Sequence, residues 1–337
     1  MVSNLNLKKI VVLGTGGTIA GTAASAADNI GYTAAQVGVA QLLAAVPGLP
    51  ALLAGRDLVS EQVAQVDSKD MSFAIWGALA QRVSAHLAAP DVQAVVITHG
   101  TDTLEETAYF LQAVLPAAQI NAKPVVLTAA MRPASSSAPD GPQNLLDAVA
   151  VALAPGAQGV VAVCAGSIHA ALDVQKSHTY RIDAFNSGDA GPLGYVEEAE
   201  LRLLRNWPVA LTNKARVAIE NIAFKAHWPR VEIVMNHAGG SSAVVDALLL
   251  PLPGVTPLRG LVVAATGNGT IHVDLEAALR RAQAQGVHVV RASRCANGRV
   301  LPAANAEFAH SAGLSPVKAR IALMLALMAE SPDAKKA

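Results

Sequence analysis

The chain has 337 residues, of which 52% are hydrophobic and only 4% aromatic, so its core must be built mainly from Ala, Val, Leu and Ile. This length suffices for two domains of ordinary size. Lysine plus arginine and aspartate plus glutamate both number 25, which argues against a nucleic acid or an anionic membrane as partner and favours a small-molecule substrate or self-association.

The first predicted strand, residues 10–13, runs into the glycine-rich segment GTGGTIAG at 14–21. This segment lacks the last glycine of a dinucleotide-binding loop, because Ile19 stands in its place, and it lacks the lysine of a phosphate-binding loop. We therefore predict a close-approach loop that presents the hydroxyls of Thr15 and Thr18.

A second strand, residues 92–97, leads through the segment THGTDT into an amphipathic helix predicted at 104–115. Open α/β sheets bind their ligands at the carboxyl ends of such strands. Gly100 lets the backbone come close to a ligand, while Thr101 and Asp102 place a hydroxyl beside a carboxylate. A helix cap would explain one of these polar residues but not the whole segment.

Apolar runs and helical patterns alternate along the whole chain. Strands are predicted at 10–13, 92–97, 124–127, 160–164, 231–235, 261–265 and 287–290. Helices are predicted near 33–46, 72–87, 104–115, 144–153, 243–250, 275–285 and 316–328. Because this alternation indicates parallel sheets covered on both faces, we predict two α/β domains: a larger N-terminal parallel-sheet domain at 1–200 and a smaller C-terminal Rossmann-like domain at 229–337, joined by a linker at 201–228.

Other classes of site find no support in the sequence. Cys164 and Cys295 match no metal-binding or redox spacing, and the nine histidines form no HExxH pattern, so we expect neither a metal site nor a cofactor.

The most apolar region, residues 145–172, is interrupted by charged and proline residues, which argues against a membrane span. Residues 1–9 lack a secretory hydrophobic region, so we expect a cytoplasmic protein.

With both threonine motifs in place, the chain resembles the bacterial-type L-asparaginase/glutaminase family. That family carries TGGTIAG near its N-terminus and HGTDT before a second site helix, and both stand here, at 15–21 and 99–103. Further matching segments follow in the family's order over nearly the whole chain: EETAYFL at 105–111, AMRP at 130–133, DGPxN at 140–144, GPLGY at 191–195, GNG at 267–269 and KAR at 318–320.

The resemblance implies roles for five catalytic residues. Thr18 is the attacking nucleophile, and Tyr32, on a segment whose composition suits a lid, activates it through a hydrogen bond. Thr101 belongs to a second set with Asp102 and Lys176, in which the lysine either takes the Thr101 proton or stays charged and steadies the site. Considered alone, Lys176 would more often be a surface charge and Tyr32 a loop anchor.

The resemblance also implies how substrate binds. Ser68 holds the α-carboxylate of the substrate and Asp102 holds its ammonium, although Ser68 considered alone would more often cap a helix. The Thr101 amide, next to Gly100, donates to the oxyanion, and the carbonyl of Ala130 holds the leaving ammonia.

Departures from the family's pattern concern mainly substrate-binding positions. Lys69 stands where most relatives have Gln or Glu to receive the substrate's ammonium, so this lysine points outward or the specificity differs. The glutamate that relatives supply from a neighbouring subunit falls at or near Asn305, with Glu307 two residues on. Thr270 stands where relatives use Asn or Ser.

We therefore expect an L-asparaginase that forms L-aspartate and ammonia by double displacement through a threonine acyl-enzyme. The resemblance implies a homotetramer, a dimer of dimers whose sites are completed by the partner's residues 268–270 and 305–307. The alternatives are a glutaminase-asparaginase of broader specificity, which would also accept L-glutamine, and a catalytically weak homologue that binds aspartate or asparagine.

Overall fold

The computed structural model of the protein describes residues 8–211, 222, 228–303 and 306–330. The chain forms two compact units, Met1–Thr212 and Asn213–Ala337, and the boundary between them falls inside the segment expected as a linker. Both units are α/β, which confirms the predicted fold class. None of the helices in the described part of the chain combines the length and apolarity that a membrane crossing needs.

An eight-stranded sheet is the main element of the N-terminal unit, as far as its described residues extend. Its strands are β1 (Lys9–Gly16), β2 (Leu58–Val66), β3 (Val92–Thr98), β4 (Val125–Thr128), β5 (Val160–Cys164), β6 (Ser167–Ala170), β9 (Gly194–Glu197) and β10 (Glu200–Leu203). A separate pair, β7 (Gln175–Lys176) and β8 (Phe185–Asn186), lies between β6 and β9 in the chain. Across the sheet the order is β10-β9-β6-β5-β4-β3-β1-β2.

Five neighbouring strands, from β2 to β5 across the sheet, are parallel, as predicted, although β2 itself was not among the predicted strands. The other three strands are antiparallel, and the hydrophobic pattern did not predict them. Residues 201–203, at the start of the segment expected as a linker, belong to the edge strand β10. This strand is mostly exposed and pairs with β9 through its main chain, so it carries no apolar run that a sequence pattern would detect.

Helices cover both faces of this sheet. They are α1 (Val39–Ala44), α2 (Leu49–Leu53), α3 (Phe73–Ala88), α4 (Leu104–Val114), α5 (Ala117–Ile120) and α6 (Gly141–Leu153). Ile10 and Val12 of β1 pack in one cluster with residues of α1, α2 and α6. Val11 and Leu13, which alternate with them and so face the other way, are equally buried. Burial on both faces explains why residues 10–13 of β1 are a continuous apolar run.

The helix predicted at 33–46 covers only Val39–Ala44. The residues before it hydrogen-bond instead to the glycine-rich turn that follows β1: the Thr33 amide donates to the carbonyl of Thr22, and the Ala35 amide donates to that of Gly17. Because these amides bond to a distant segment, they cannot form the i to i−4 bonds of a helix.

A four-stranded parallel sheet forms the described core of the C-terminal unit. Its strands lie in chain order, β11 (Arg230–Met235), β12 (Leu258–Ala265), β13 (His288–Ser293) and β14 (Ala309–His310). The helices are α7 (Ala243–Leu249), α8 (Val273–Ala284) and α9 (Pro316–Glu330). Leu261 and Val263 of β12 pack against Leu275 and Leu279 of α8, which gives this unit a hydrophobic core of its own.

Candidate active site

Three loops meet at the carboxyl ends of the neighbouring strands β2, β1 and β3. A 3-10 turn at Thr18–Ala20 follows β1, and a second one at Ser68–Asp70 follows β2. The segment 99–103 follows β3, whose Thr98 pairs with Gly14 of β1. The two threonine motifs are therefore adjacent in space, at the carboxyl ends of the parallel strands, where the sequence predicted that a ligand binds.

Two glycines allow these loops to touch. Gly17 has φ of 82°, and a Cβ built on it would lie 2.3 Å from the Cα of Gly100. A Cβ on Gly100 would lie 2.5 Å from the Oγ of Ser68. Neither position has room for a side chain, so the contact between these loops depends on both glycines.

Thr18 is buried, and its Oγ1 lies 2.7 Å from the Oη of Tyr32. Burial raises the pKa of the Tyr32 phenol, the Thr18 hydrogen bond opposes that rise, and the negative charges of Asp67 and Asp102 add to it. Tyr32 is therefore a neutral hydrogen-bonding partner of the Thr18 hydroxyl at neutral pH.

Thr101, Asp102 and Lys176 form a second polar set. The Nζ of Lys176 donates to the Oγ1 of Thr101 at 2.9 Å and to the Oδ1 of Asp102 at 2.5 Å. The Lys176 side chain, on β7, is only 18% exposed, whereas that of Asp102 is 53% exposed. Lys176 is thus directed inward to the site, while the Asp102 carboxylate also faces solvent.

Ser68 lies against the second motif and does not cap a helix. Its buried Oγ accepts a hydrogen bond from the Asp102 amide at 3.1 Å, and its carbonyl accepts one from the Thr103 hydroxyl at 2.8 Å. The cap of α3 is Ser72. A hydroxyl that accepts one bond still has its own O–H to donate, so Ser68 can offer a hydrogen to an anion.

Lys69 points outward. Its Nζ lies 2.5 Å from the Oδ2 of Asp70, its side chain is 61% exposed, and the hydrogen bond to Asp70 raises the pKa of the ammonium. The sequence left two alternatives for this residue, and the geometry favours the one in which its charge is directed away from the loop junction.

His99 and two residues behind it form a polar network that the sequence analysis did not single out. The fully buried His99 places its Nδ1 2.7 Å from the carbonyl oxygen of Gly100 and its Nε2 3.0 Å from the Oγ1 of Thr107. The indole Nε1 of Trp76 donates to the same Thr107 oxygen at 2.9 Å. Burial lowers the pKa of His99 to about 4, so the imidazole is neutral.

The loop after β4 holds Ala130, which is buried against Ile19 of the first turn. The carboxylate of Asp140 accepts hydrogen bonds from the amides of Met131 and Arg132, each at 2.9 Å. Because the N–H and C=O of a trans peptide point in opposite directions, the Ala130 carbonyl is directed away from Asp140. Asp140 lies in the matched motif DGPxN, but no role was predicted for it.

The C-terminal unit holds its candidate residues in a turn between Thr266 and Thr270, whose hydroxyl oxygens lie 2.9 Å apart. Within this turn the Oδ1 of Asn268 accepts from the Leu301 amide at 2.8 Å. Glu307 is bound by Arg280, at 2.7 Å. Asn305 lies outside the described residues. Within the described ranges, no group of three or more His, Cys, Asp or Glu side chains is placed to hold a metal ion.

Both units match known protein families. The model for "Asparaginase, N-terminal" matches residues 9–209, and that for "Glutaminase/Asparaginase C-terminal domain" matches residues 230–337. L-asparaginase 2 of Escherichia coli (strain K12) is 36% identical, covering 96% of this chain and 90% of the relative. Glutaminase-asparaginase of Pseudomonas fluorescens biotype A is also 36% identical, covering 98% and 89%. The crystal structure of a probable cytoplasmic L-asparaginase from Campylobacter jejuni superimposes with a TM-score of 0.86 at 37% identity, covering 98% of this chain and 97% of that one.

Proposed function

Because this chain belongs to the asparaginase family of amidohydrolases, we propose that it is an L-asparaginase, which hydrolyses L-asparagine to L-aspartate and ammonia. The observation that carries the proposal is the junction of the two threonine loops. Thr18 with Tyr32, and Thr101 with Lys176 and Asp102, are two separate hydroxyl sets, each following one of the touching glycines.

In the first step, the Oγ1 of Thr18 attacks the carbonyl carbon of the side-chain amide. A C–O bond forms, the C–N bond breaks, and the Thr18 proton passes through the Tyr32 hydroxyl to the departing nitrogen, which leaves as ammonia. The raised pKa of Tyr32 supports this relay, because a neutral phenol can accept one proton while donating another. The Thr101 amide donates to the oxyanion, and the Ala130 carbonyl receives the ammonia.

In the second step, water attacks the Thr18 ester and releases aspartate. We assign the orientation of this water to Thr101, whose hydroxyl oxygen is held by the Lys176 ammonium and can therefore direct its own hydrogen bond. The water supplies a hydroxyl to the acyl carbon and a proton to Thr18, so the enzyme returns to its starting state.

Substrate recognition follows from charge and exposure. The half-exposed carboxylate of Asp102 is placed to bind the α-ammonium of asparagine, and the Ser68 hydroxyl can donate to its α-carboxylate. The pairing of Lys69 with Asp70 removes one reason for expecting a homologue without turnover, because its cation does not have to face the substrate's ammonium.

Mass spectrometry after acid quench tests the assignment of the nucleophile. During turnover of asparagine, the acyl group should be found on the peptide that contains Thr18, and Thr18→Ala should abolish turnover while substrate still binds. Thr101→Val should lower kcat by about 10³-fold, in line with the loss of a directly acting group. An acyl group on the Thr101 peptide would reverse the assignment.

A broader glutaminase-asparaginase activity is the alternative, because the relative from Pseudomonas fluorescens that carries this name is as similar as the L-asparaginase from Escherichia coli. The ratio of kcat/KM for asparagine and glutamine, measured by ammonia release, decides between the two activities.

We further propose a cytoplasmic homotetramer, a dimer of dimers in which the turn that contains Asn268 and Thr270, together with the segment at Asn305, completes a partner's site. The exposed apolar side chains of Met235, Val244 and Val273 support association through the C-terminal unit. The similarity to a probable cytoplasmic enzyme supports the location, which cell fractionation tests.

A further inference from the structure

We infer that His99 is a positioning residue: through its hydrogen bond to the Gly100 carbonyl, it fixes the Gly100–Thr101 peptide so that the Thr101 amide is directed into the site. This inference rests on the proposed function, because it assigns the residue that orients the proposed oxyanion donor. It also gives a supporting role to the buried side chains of Thr107 and Trp76, which are hydrogen-bonded in sequence behind His99.

The orientation of one peptide unit carries the argument. The Nδ1 of His99 lies 2.7 Å from the carbonyl oxygen of Gly100. Because the His99 side chain is completely buried, it binds this carbonyl from the interior side of the loop. In a trans peptide the N–H points opposite to the C=O, so the Thr101 N–H is turned away from His99. Among the described residues none accepts a hydrogen bond from that amide, whereas the next amide, of Asp102, is bound by Ser68.

The positions of the hydrogen atoms in this network can be assigned by starting at the Gly100 carbonyl. A carbonyl oxygen only accepts, so the Nδ1 of His99 must carry the hydrogen. The Nε2 of the neutral imidazole is then an acceptor, which receives the Thr107 hydroxyl hydrogen at 3.0 Å. The Thr107 oxygen in turn accepts from Trp76, whose ring stacks on Phe110 at 4.9 Å between centroids. Thr107 and His99 each accept one hydrogen bond and donate the next, so the chain of bonds runs from Trp76 to the Gly100 carbonyl in a single direction.

This network explains why a polar imidazole is buried beside the second motif. An unpaired polar group in such a place would cost stability, and here both ring nitrogens are satisfied. An oxyanion donor is effective only when it is fixed before the charge develops. If the amide had to reorient during the reaction, the energy of that reorientation would offset part of the stabilisation that it gives to the oxyanion. Fixing the acceptor side of the same peptide leaves its donor side available to the substrate.

Three variants of His99 separate the positioning role from simple packing. His99→Leu removes both hydrogen bonds and should lower kcat by about 10²-fold with little change in KM, because the donor acts in the transition state. In His99→Asn the side-chain amide can take the place of Nδ1 and donate to Gly100, so kcat should return to within about tenfold of the wild type. His99→Gln offers its amide at the Nε2 side and should resemble His99→Leu.

The crystal structure of His99→Leu supplies a readout that does not depend on activity. The Gly100–Thr101 peptide should be rotated or mixed in orientation in this variant and wild-type-like in His99→Asn. An unchanged peptide in His99→Leu, or an equal recovery of kcat by Gln and Asn, would overturn the inference. If the wild type released ammonia from neither asparagine nor glutamine, the proposed function would be refuted, and the peptide orientation would still decide whether His99 fixes it.

Discussion

Two lysines lie near the candidate site, and their different surroundings predict different results of neutralising them. Lys69→Gln removes an exposed ion pair with Asp70, and solvent screens such pairs strongly, so kcat and KM should change less than about threefold. Lys176→Met removes the donor to Thr101 and the partner of Asp102, so kcat/KM should fall by at least about 10²-fold. Steady-state kinetics on both variants would test this contrast, and wild-type activity of Lys176→Met would eliminate the second hydroxyl set from the mechanism.

The lowered pKa of His99 predicts a pH-dependent stability. The pKa is 6.5 for an ordinary histidine and about 4 in the folded protein, so between these values the unfolded chain binds the proton more readily. The stabilisation is complete above pH 6.5 and is lost as the pH falls towards 4, amounting to roughly 3 kcal/mol. Urea unfolding of wild type and His99→Asn at several pH values should show their difference in unfolding free energy shrinking as the pH falls; a difference independent of pH would contradict this.

At the scale of single residues, glycines and hydroxyls beside predicted strands pointed to the loops that contain Thr18 and Thr101, and the family resemblance supplied the roles proposed for these two residues. The sequence could not give the direction of the Lys69 side chain, which depends on a local pairing with Asp70. It also passed over His99, although this residue stands inside the second motif, because its partners Thr107 and Trp76 lie on two separate helices. Contacts of that kind depend on how the helices pack, which local spacing does not encode.

At the scale of the structural element, the turn after β1 predicts an unequal effect of two similar substitutions. Gly17 and Gly55 both have positive φ, 82° and 84°, but a Cβ on Gly17 meets the Gly100 backbone whereas nothing lies within 4 Å of one on Gly55. Gly55→Ala should therefore lower the free energy of unfolding by only about 1–2 kcal/mol, because alanine is strained in a left-handed backbone conformation, and should leave kcat unchanged. Gly17→Ala should cost more and lower kcat by about 10²-fold, because it separates the two threonine loops.

Thermal unfolding and kinetics measured on the same two samples would check this prediction. Equal losses of stability, with kcat preserved in both variants, would show that the contact between the loops can be relaxed without consequence.

The antiparallel strands that the sequence failed to predict are joined by turns that carry little sequence signal. The hairpins β5–β6 and β9–β10 turn through Ala165–Gly166 and Glu198–Ala199, all with positive φ. Two-residue turns of this geometry are usually marked by Asn-Gly or Asp-Gly, so Glu198–Ala199 gives no signal in the sequence. The parallel strands β1, β3, β4 and β5, by contrast, are buried almost throughout and were found as apolar runs, whereas the parallel strand β2 is only partly buried and was missed.

For the whole molecule, the alternation of strands and helices was enough to predict two α/β units, but a single chain carries no direct signal of its assembly. The proposed tetramer predicts that activity falls on dilution below the dissociation constant of the dimer. Mixing inactive Thr18→Ala chains with chains altered at both Asn268 and Asn305 should restore activity to some hybrid sites. Full activity of a monomer verified by light scattering, together with no recovery on mixing, would refute the shared site.

The scarcity of aromatic residues makes the molecule optically simple. The chain has only three tryptophans, and one of them, Trp76, is stacked on Phe110 and hydrogen-bonded into the network behind the Gly100 carbonyl. Replacing Trp207 and Trp228 by Phe would leave Trp76 as the single tryptophan, which is connected to His99 through Thr107 by two hydrogen bonds. The intrinsic fluorescence of that variant would then report events at the centre of the N-terminal unit, without an attached dye, on the timescale of a stopped-flow mixing experiment.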